Sequence, residues 1–315
     1  MAVSDIAYVV CDHVDLEVAE HFYTDFGLNV AYSTEQEVAF RPALKRGYCY
    51  VARKADQNGL VAIGMRAPSK AELERVAQFP EASGIEPIER PGGGWRVRLA
   101  SPDGIPFEVT FGIEDYAELP VRDALRLNHG REKRRFGEWQ RPELAPASVL
   151  RLGHVALLTK DFKTNAEWLQ TRLGLKPSDL LFDGTRDNQL GGFFHCTGGE
   201  EWTDHHTVAL FPGDAPRVHH YSFEIEDLDA QFLGNKWLSE RGWNHTWGVG
   251  RHILGSQIFD YWYDPAGNIS EHFTDGDLVR PGTPPGFHQV SDDALALWGP
   301  PLGVADFIKA AVQHP

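Results

Sequence analysis

Three residues in the second half of the chain have side chains suited to holding one divalent metal, namely His154, His220 and Glu271. Two neutral imidazoles and one carboxylate can occupy one face of an octahedron and leave the other positions open for a substrate and for oxygen. This donor set is typical of non-haem Fe(II) sites, although Mn(II) or Zn(II) could bind the same atoms. The three residues therefore predict an open metal centre.

The segments that position these side chains belong to an internal repeat. The stretches that begin at Ile6 and Leu152 each contain an apolar strand, a polar turn with an aspartate, and an amphipathic helix closed by Gly-Leu. The stretches from Gly59 and Val218 repeat the strand-then-helix order, and SPDGIPFEV and DPAGNISEHF close the two halves. This order predicts an α+β protein with four related modules, two in each half.

Comparison of the two halves shows why only the second half should form a metal site. Tyr8 stands at the position of His154, and the counterpart of His220 lies close to Ala62. The first half keeps only a carboxylate, Glu108, at the position of the second-half glutamate. We therefore expect Glu108 to have a structural role.

Two adjacent histidines compete for the second ligand position. The distance from His154 to Asp161 along the chain is seven residues, and His220 lies seven residues before Asp227. The matched spacing selects His220 over its neighbour His219.

The predicted domain limits follow from the repeat. Residues 1–115 form an N-terminal pair of modules without metal, residues 116–148 a charged linker, residues 149–277 the catalytic pair, and residues 278–315 a tail rich in Pro and Gly.

Composition excludes several classes of function. A formal net charge of −15 and the absence of a basic stretch argue against nucleic-acid binding. No apolar run approaches the roughly 18 to 20 residues that a membrane span requires. Three widely spaced cysteines and an N-terminus without a basic region predict a cytoplasmic protein that has neither a disulfide framework nor a secretory signal.

Residues 250–271, GRHILGSQIFDYWYDPAGNISE, closely resemble the signature of the type I extradiol ring-cleavage dioxygenases of the vicinal oxygen chelate superfamily. In that signature a histidine is followed nine residues later by a tyrosine, then by an acidic or amide residue, a proline, a glycine and the glutamate ligand. The matching residues are His252, Tyr261, Asp264, Pro265, Gly267 and Glu271. One position departs from the pattern, because Asp260 precedes the tyrosine where the family has an apolar residue.

The resemblance extends along most of the chain and implies a role for each site residue. LGHVALLTKD and RVHHYSFEIEDLD resemble the strands that carry the two histidine ligands, and FFHCTGGEEWTDHHTVALF resembles a strand pair that carries a further active-site histidine. The position before Thr207 selects His206 over His205. The resemblance implies that His206 stabilises and protonates bound oxygen. It also implies that His252 and Tyr261 hydrogen bond the substrate oxygens, with Tyr261 helping to deprotonate the substrate.

The fold implied by the resemblance has four βαβββ modules paired into two open-barrel domains. The implied function is an Fe(II)-dependent (Mn(II) possible) extradiol dioxygenase that uses O2 to cleave a catechol-type ring next to its hydroxyls, in aromatic degradation. The family also implies a homo-oligomer, a tetramer or larger.

Two alternatives share this fold: a glyoxalase-like metal-dependent lyase or isomerase, and a non-catalytic aromatic-binding protein. The sequence leaves open the particular catechol, proximal or distal cleavage, and the choice between Fe and Mn. Arg251, beside His252, could pair with a substrate carboxylate or be structural. Of the other histidines, we expect His195 in the core and His13, His129 and His314 facing solvent.

Overall fold

The computed structural model describes residues 3–123, 125–199 and 201–311. In the first half the strands are β1 (Asp5–His13), β2 (Asn29–Ser33), β3 (Glu37–Arg41), β4 (Tyr50–Lys54), β5 (Gly59–Arg66), β6 (Glu86–Pro87), β7 (Trp95–Ala100) and β8 (Pro106–Phe111), and the helices are α1 (Leu16–Asp25) and α2 (Lys70–Val76). In the second half the strands are β9 (Val149–Thr159), β10 (Lys176–Phe182), β11 (Gln189–His195), β12 (Thr203–Asp204), β13 (Val208–Pro212), β14 (Arg217–Ile225), β15 (His245–His252), β16 (Ile258–Tyr263), β17 (Ile269–Thr274), β18 (Leu278–Val279), β19 (Gly286–Gln289) and β20 (Ala296–Trp298), and the helices are α3 (Phe162–Trp168), α4 (Leu228–Glu240) and α5 (Val304–Ala310). A π-helical turn at Leu169–Leu173 continues α3.

Two large sheets contain the four modules. The first sheet has the order β2-β3-β4-β1-β5-β8-β7-β6, and the second contains β10-β11-β13-β9-β14-β17-β16-β15 in the same arrangement, with β19 and β20 added at its edges. Each module is a strand, a helix and three further strands, and its last main strand runs parallel to its first. The α+β class and the four βαβββ modules are confirmed.

The helices begin and end where the repeat predicts. Asp15 accepts hydrogen bonds from the backbone N–H groups at the start of α1, and Asp161 does the same for α3. An aspartate at this position pairs N–H groups that lack partners within the helix. After α3, Gly174 has a φ of 71°, a left-handed conformation that glycine adopts without steric cost.

The pairing of β9, β14 and β17 places the three candidate ligands side by side. β9 and β14 are antiparallel, and His154 pairs with Ser222. β14 and β17 are parallel, and Ser222 also pairs with Glu271. His220 lies two residues before Ser222, so its side chain is on the same face of the sheet.

The first half has the same pairing. Tyr8 pairs with Gly64, Gly64 pairs with Glu108, and Ala62 lies two residues before Gly64. The predicted counterparts of the two histidines and the glutamate are therefore confirmed by strand register.

Contacts between the sheets hold the two halves together. One hydrophobic core includes residues of both halves, such as Val9, Phe107, Leu157 and Phe223. The hydroxyl of Tyr23 donates to Asp264 across the interface at 2.8 Å. The domain limits stay a prediction, because the core is continuous across them.

Residues predicted as a tail lie against the second sheet. β19 pairs with β10, β20 pairs with β15, and α5 packs through Phe307 beside the histidines of β14. Among the described residues, the helices are all too short or too polar to cross a membrane.

Candidate metal centre

A β-bulge on β14 brings two consecutive histidines to the same region. The register to β9 skips one residue between Val218 and His220, so His219 is the extra residue. In a regular strand His219 would point to the opposite face, but a bulge re-aims the side chain. Both rings are buried, and their centroids lie 5.0 Å apart.

The predicted ligand atoms form a nearly equilateral triangle. Nε2 of His154 lies 3.3 Å from Nε2 of His220, and Oε2 of Glu271 lies 3.3 Å from the first nitrogen and 3.5 Å from the second. With metal–ligand distances of about 2.1 Å, adjacent ligands of an octahedral ion are about 3 Å apart. The triangle therefore has the dimensions of a three-ligand face.

The local electrostatics also suit a cation. Glu271 is fully buried, and among the described residues neither of its oxygens has a hydrogen-bond partner of good geometry. Burial would raise the pKa of Glu271, but His154 and His252 outweigh it and the net pKa is lowered. Burial and the neighbouring histidines hold the pKa of His220 well below its ordinary value, so this imidazole is neutral and has a lone pair to donate. A buried carboxylate without hydrogen bonds is costly unless a cation pairs with it, so these residues fit a divalent metal.

The orientation of His220 is fixed by its neighbour on the bulge. Nδ1 of His220 lies 2.8 Å from Nδ1 of His219, and Nε2 of His219 lies 2.8 Å from the carbonyl oxygen of Phe307 on α5. Burial lowers the pKa of His219 to about 4, so it is neutral. Its Nε2–H then donates to Phe307, its Nδ1 accepts from His220, and Nε2 of His220 is left for the metal.

A second histidine pair, His205 and His206, is joined by the same kind of hydrogen bond between Nδ1 atoms. Their Nδ1 atoms lie 3.1 Å apart, and Nε2 of His205 lies 2.8 Å from Oδ2 of Asp179. Asp179 also accepts from Nε2 of His288, which is on the surface side. Burial would raise the pKa of Asp179, but the two histidines lower it overall, so the carboxylate is an acceptor. His206 must then donate through Nδ1, and its Nε2 lone pair is available.

His252 and Tyr261 form a hydrogen-bonded pair on the other side of the triangle. The Tyr261 hydroxyl lies 2.8 Å from Nε2 of His252, whose Nδ1–H donates to the carbonyl oxygen of Leu295 at 2.8 Å. Nε2 of His252 is 3.9 Å from Oε1 of Glu271. Burial, with the charge of Glu271, raises the pKa of Tyr261 well above its usual range, so the hydroxyl keeps its proton and donates to His252.

Asp260, the departure from the family pattern, points away from this pair. Strand alternation puts its side chain on the face of β16 that α4 covers, where His245, Trp262 and Asn235 all donate to it. Tyr261 therefore faces the cavity despite its charged neighbour.

Five of the six predicted site residues meet at one cavity of about 950 Å³, including its open mouth. His154, His206, His220, His252 and Tyr261 all line it. His206 flanks the triangle beside His154, with ring centroids 4.1 Å apart, whereas the His252–Tyr261 pair flanks it beside Glu271.

The structure also shows residues that sequence reasoning missed. His205 and His219 were each rejected in favour of a neighbour, yet each is the hydrogen-bond partner of the histidine that was chosen. The two His-His pairs were the available signal. The carbonyl groups of Leu295 and Phe307 come from the predicted tail and gave no signal in the sequence.

Other predicted histidines have mixed outcomes. His195 is buried in the core, as expected. The prediction that His13 faces solvent is wrong, because its ring is buried and lies 2.8 Å from the Tyr50 hydroxyl. His129 is exposed, and His314 lies outside the described residues.

Glu108 of the first half has other partners. Tyr8 donates to one oxygen of Glu108, and Arg96 donates to the other at 2.9 Å. Its carboxylate is therefore already paired within its own module.

Comparison with known proteins finds several enzymes that are similar to this chain. No family model matches the chain. It is 28% identical over 302 residues to metapyrocatechase 2 of Cupriavidus necator, and the match covers 95% of this chain and 90% of that protein.

Two solved structures share the whole architecture. The Mn(II)-bound glyoxalase from Novosphingobium aromaticivorans has a TM-score of 0.82 and 24% identity, and the match covers 100% of this chain and 95% of that one. Homoprotocatechuate 2,3-dioxygenase from Brevibacterium fuscum, in complex with 3,4-dihydroxyphenylacetate, has a TM-score of 0.80 and 20% identity, and the match covers 97% and 92%. At these identities the structures establish the fold, and the sequence similarity extends over nearly the full length of a metapyrocatechase. The chain is therefore similar to metapyrocatechase 2 along almost its whole length, and it has the fold of the homoprotocatechuate dioxygenase and of the Mn(II)-bound glyoxalase.

Proposed function

We propose that this chain is an Fe(II)-dependent extradiol dioxygenase, in which His154, His220 and Glu271 hold the metal. The reaction breaks the ring carbon–carbon bond next to the diol, and both atoms of O2 enter the ring-opened product. The observation that carries the proposal is the metal-sized triangle with proton-transfer groups on both sides, His206 on one and the His252–Tyr261 pair on the other.

The His252–Tyr261 pair suits removal of a proton from the substrate. A catechol hydroxyl beside Tyr261 can pass its proton to the tyrosine oxygen as the tyrosine proton moves to Nε2 of His252. The carbonyl oxygen of Leu295 keeps Nδ1 of His252 protonated, and Glu271 at 3.9 Å stabilises the resulting positive charge. The pair therefore orients the diol and accepts its proton.

His206 suits the opposite task, on the oxygen side. Because His205 accepts its Nδ1–H, the Nε2 of His206 can take up a proton and return it to a developing oxygen anion. Burial and the surrounding histidines hold the pKa of His206 well below its usual value, so the ring begins neutral. The bound metal itself would lower the pKa of the chelated diol and pass electron density to O2.

The test is aerobic turnover after anaerobic loading with Fe(II) or, separately, Mn(II). Catechol and O2 should be consumed in equal amounts, and the ring-opened product should be yellow. When ¹⁸O2 is used, the product should carry two labelled oxygen atoms. A glyoxalase-like enzyme would instead isomerise a thiol adduct of a 2-oxoaldehyde without using O2. Metal-loaded protein that leaves every catechol intact would contradict the proposal, and a comparison of the two metals decides between Fe and Mn.

We also propose that the protein is a cytoplasmic homo-oligomer, a tetramer or larger. Besides the family resemblance, support comes from Phe136 and Trp139, which are 76% and 81% exposed in the charged linker. Burying these two side chains against another subunit would remove apolar surface from water. Light scattering on the purified protein would give the mass of the assembly, and a monomer would contradict this part.

A further inference from the structure

The cavity wall away from the metal triangle is apolar. It is formed by side chains such as Leu181, Phe193, Phe211, Leu254 and Phe307, which come from three strands, a turn and the last helix. Among the described residues that line the cavity, the histidines and Tyr261 are the only ones with titratable side chains, and Tyr261 keeps its proton. A substituent on the ring would therefore leave water for a hydrocarbon surface.

The few polar groups of the wall cannot replace a cation. Gln289 already donates to Asp183 and accepts from the backbone N–H of Gly184. Gln257 is buried and neutral, and Ser291 lies at the exposed mouth. A neutral amide leaves most of the cost of burying a carboxylate uncompensated.

Arg251, the cation nearest to His252 in sequence, is engaged elsewhere. Its guanidinium donates to the carbonyl oxygen of Ser256 at 2.6 Å and to Asp275 at 2.7 Å, and it is not part of the cavity wall. The formal net charge of −15 adds a long-range repulsion against anions.

We infer that this cavity selects catechols with an uncharged, apolar substituent and rejects catechols with a carboxylate. The inference rests on the proposed function, since catechol chelation is what directs the substituent toward the apolar wall. It separates this chain from the homoprotocatechuate dioxygenase that shares its fold, whose complex contains the carboxylated 3,4-dihydroxyphenylacetate.

The experiment compares 3,4-dihydroxyphenylacetate with its methyl ester, which differs by the loss of the charge and the gain of one methyl group. Binding to the metal-loaded protein is measured by calorimetry without O2, and kcat/KM is measured with O2. We expect the ester to bind at least about 100-fold more tightly, because the buried carboxylate has no partner. Equal affinity for acid and ester, or tighter binding of the acid, would overturn the inference.

Two neighbouring variants test the wall directly. Leu254→Arg puts a cation into the cavity and should reduce the preference for the ester at least about 10-fold. Ile253→Arg is the matched control, because Ile253 is 43% exposed and does not line the cavity, so the preference should stay within about 2-fold. A preference that responds equally to both variants would contradict the assignment of the wall.

Binding and turnover separate the two proposals. If the ester binds selectively but no diol is cleaved, the selection of apolar ligands stands and the dioxygenase function fails. If both compounds are cleaved with equal kcat/KM, the function stands and the inferred selection fails.

Discussion

His205 should determine the activity of His206 although it does not line the cavity. It accepts the Nδ1–H of His206 and is itself fixed by Asp179 at 2.8 Å. The substitution His205→Phe keeps a ring of similar shape but removes the acceptor. The Nδ1–H of His206 then lies in a buried region without its partner, and the tautomer with a lone pair on Nε2 is no longer favoured.

The size of the effect follows from that lost partner. An unsatisfied buried donor costs about 1 to 3 kcal/mol, and each 1.4 kcal/mol is a factor of about ten in rate. We expect kcat to fall about 10- to 100-fold while KM changes less than about 3-fold, since the substrate does not contact His205. The variant His206→Phe should lose more, about 10²- to 10⁴-fold, because it removes the proton-transfer group itself.

Oxygen uptake and product absorbance give kcat and KM for a matched set of variants. His205→Asn should retain most of the activity, because the amide oxygen can accept in place of Nδ1. His288→Ala removes the other partner of Asp179 and should change kcat less than about 3-fold, since the bond between Asp179 and His205 is kept. In the background of His206→Phe, His205→Phe should add almost nothing. Additive losses in the double variant, or wild-type kcat in His205→Phe, would refute this reasoning.

Three further predictions concern metal binding and stability. Glu271→Gln should reduce metal content after dialysis to near zero, whereas Glu108→Gln, its counterpart in the first half, should keep the metal content of the wild type. Asp260→Leu should lower the free energy of unfolding by about 2 to 4 kcal/mol, because three donors lose their buried acceptor. It should leave kcat within about 3-fold, since Tyr261 is on the opposite face, and a large loss of kcat in folded protein would contradict this. The folded-state pKa of Asp179 lies below its ordinary value of 3.8, so the ionised form stabilises the fold above about pH 4 and this contribution is lost as the pH falls through the folded pKa. Urea unfolding of metal-free protein should therefore show a stability difference between wild type and Asp179→Asn at pH 6 that shrinks by pH 3, and a difference that grows would contradict it.

The position of the site could be predicted from the sequence because the modules are repeated. Equal spacing along the chain in two modules then indicates equivalent positions on paired strands. His154 and His220 occur at equal distances from aspartates that cap equivalent helices, so both belong to first strands of modules. First strands pair at the centre of each sheet, and the last strand of a module lies beside its first. Two histidines and a glutamate on such strands must therefore meet.

The supporting groups could not be predicted, since they depend on non-local geometry. A bulge that places His219 behind His220 is not visible in a strand pattern of alternating residues. Backbone carbonyls carry no sequence signal, so the roles of Leu295 and Phe307 became visible only with the fold. His13 was wrongly placed at the surface because its contact, Tyr50, is 37 residues away in the chain.

The two halves show that the scaffold alone does not make the metal centre. The register between β1 and β5 skips Val61 beside Ala62, so the first half has the same bulge as the one at His219. Yet the Tyr8 ring fills the space opposite Gly64, where even an added Cβ would come within 2.8 Å of the ring. The charge of Glu108 is paired with the guanidinium of Arg96, whereas Glu271 faces the Nε2 atoms of His154 and His220. A carboxylate with a guanidinium partner does not need a cation, whereas Glu271 has no such partner among the described residues. The same backbone therefore holds a paired carboxylate, Glu108, in one half and a carboxylate available to a metal, Glu271, in the other. The difference lies in the side chains that surround each carboxylate.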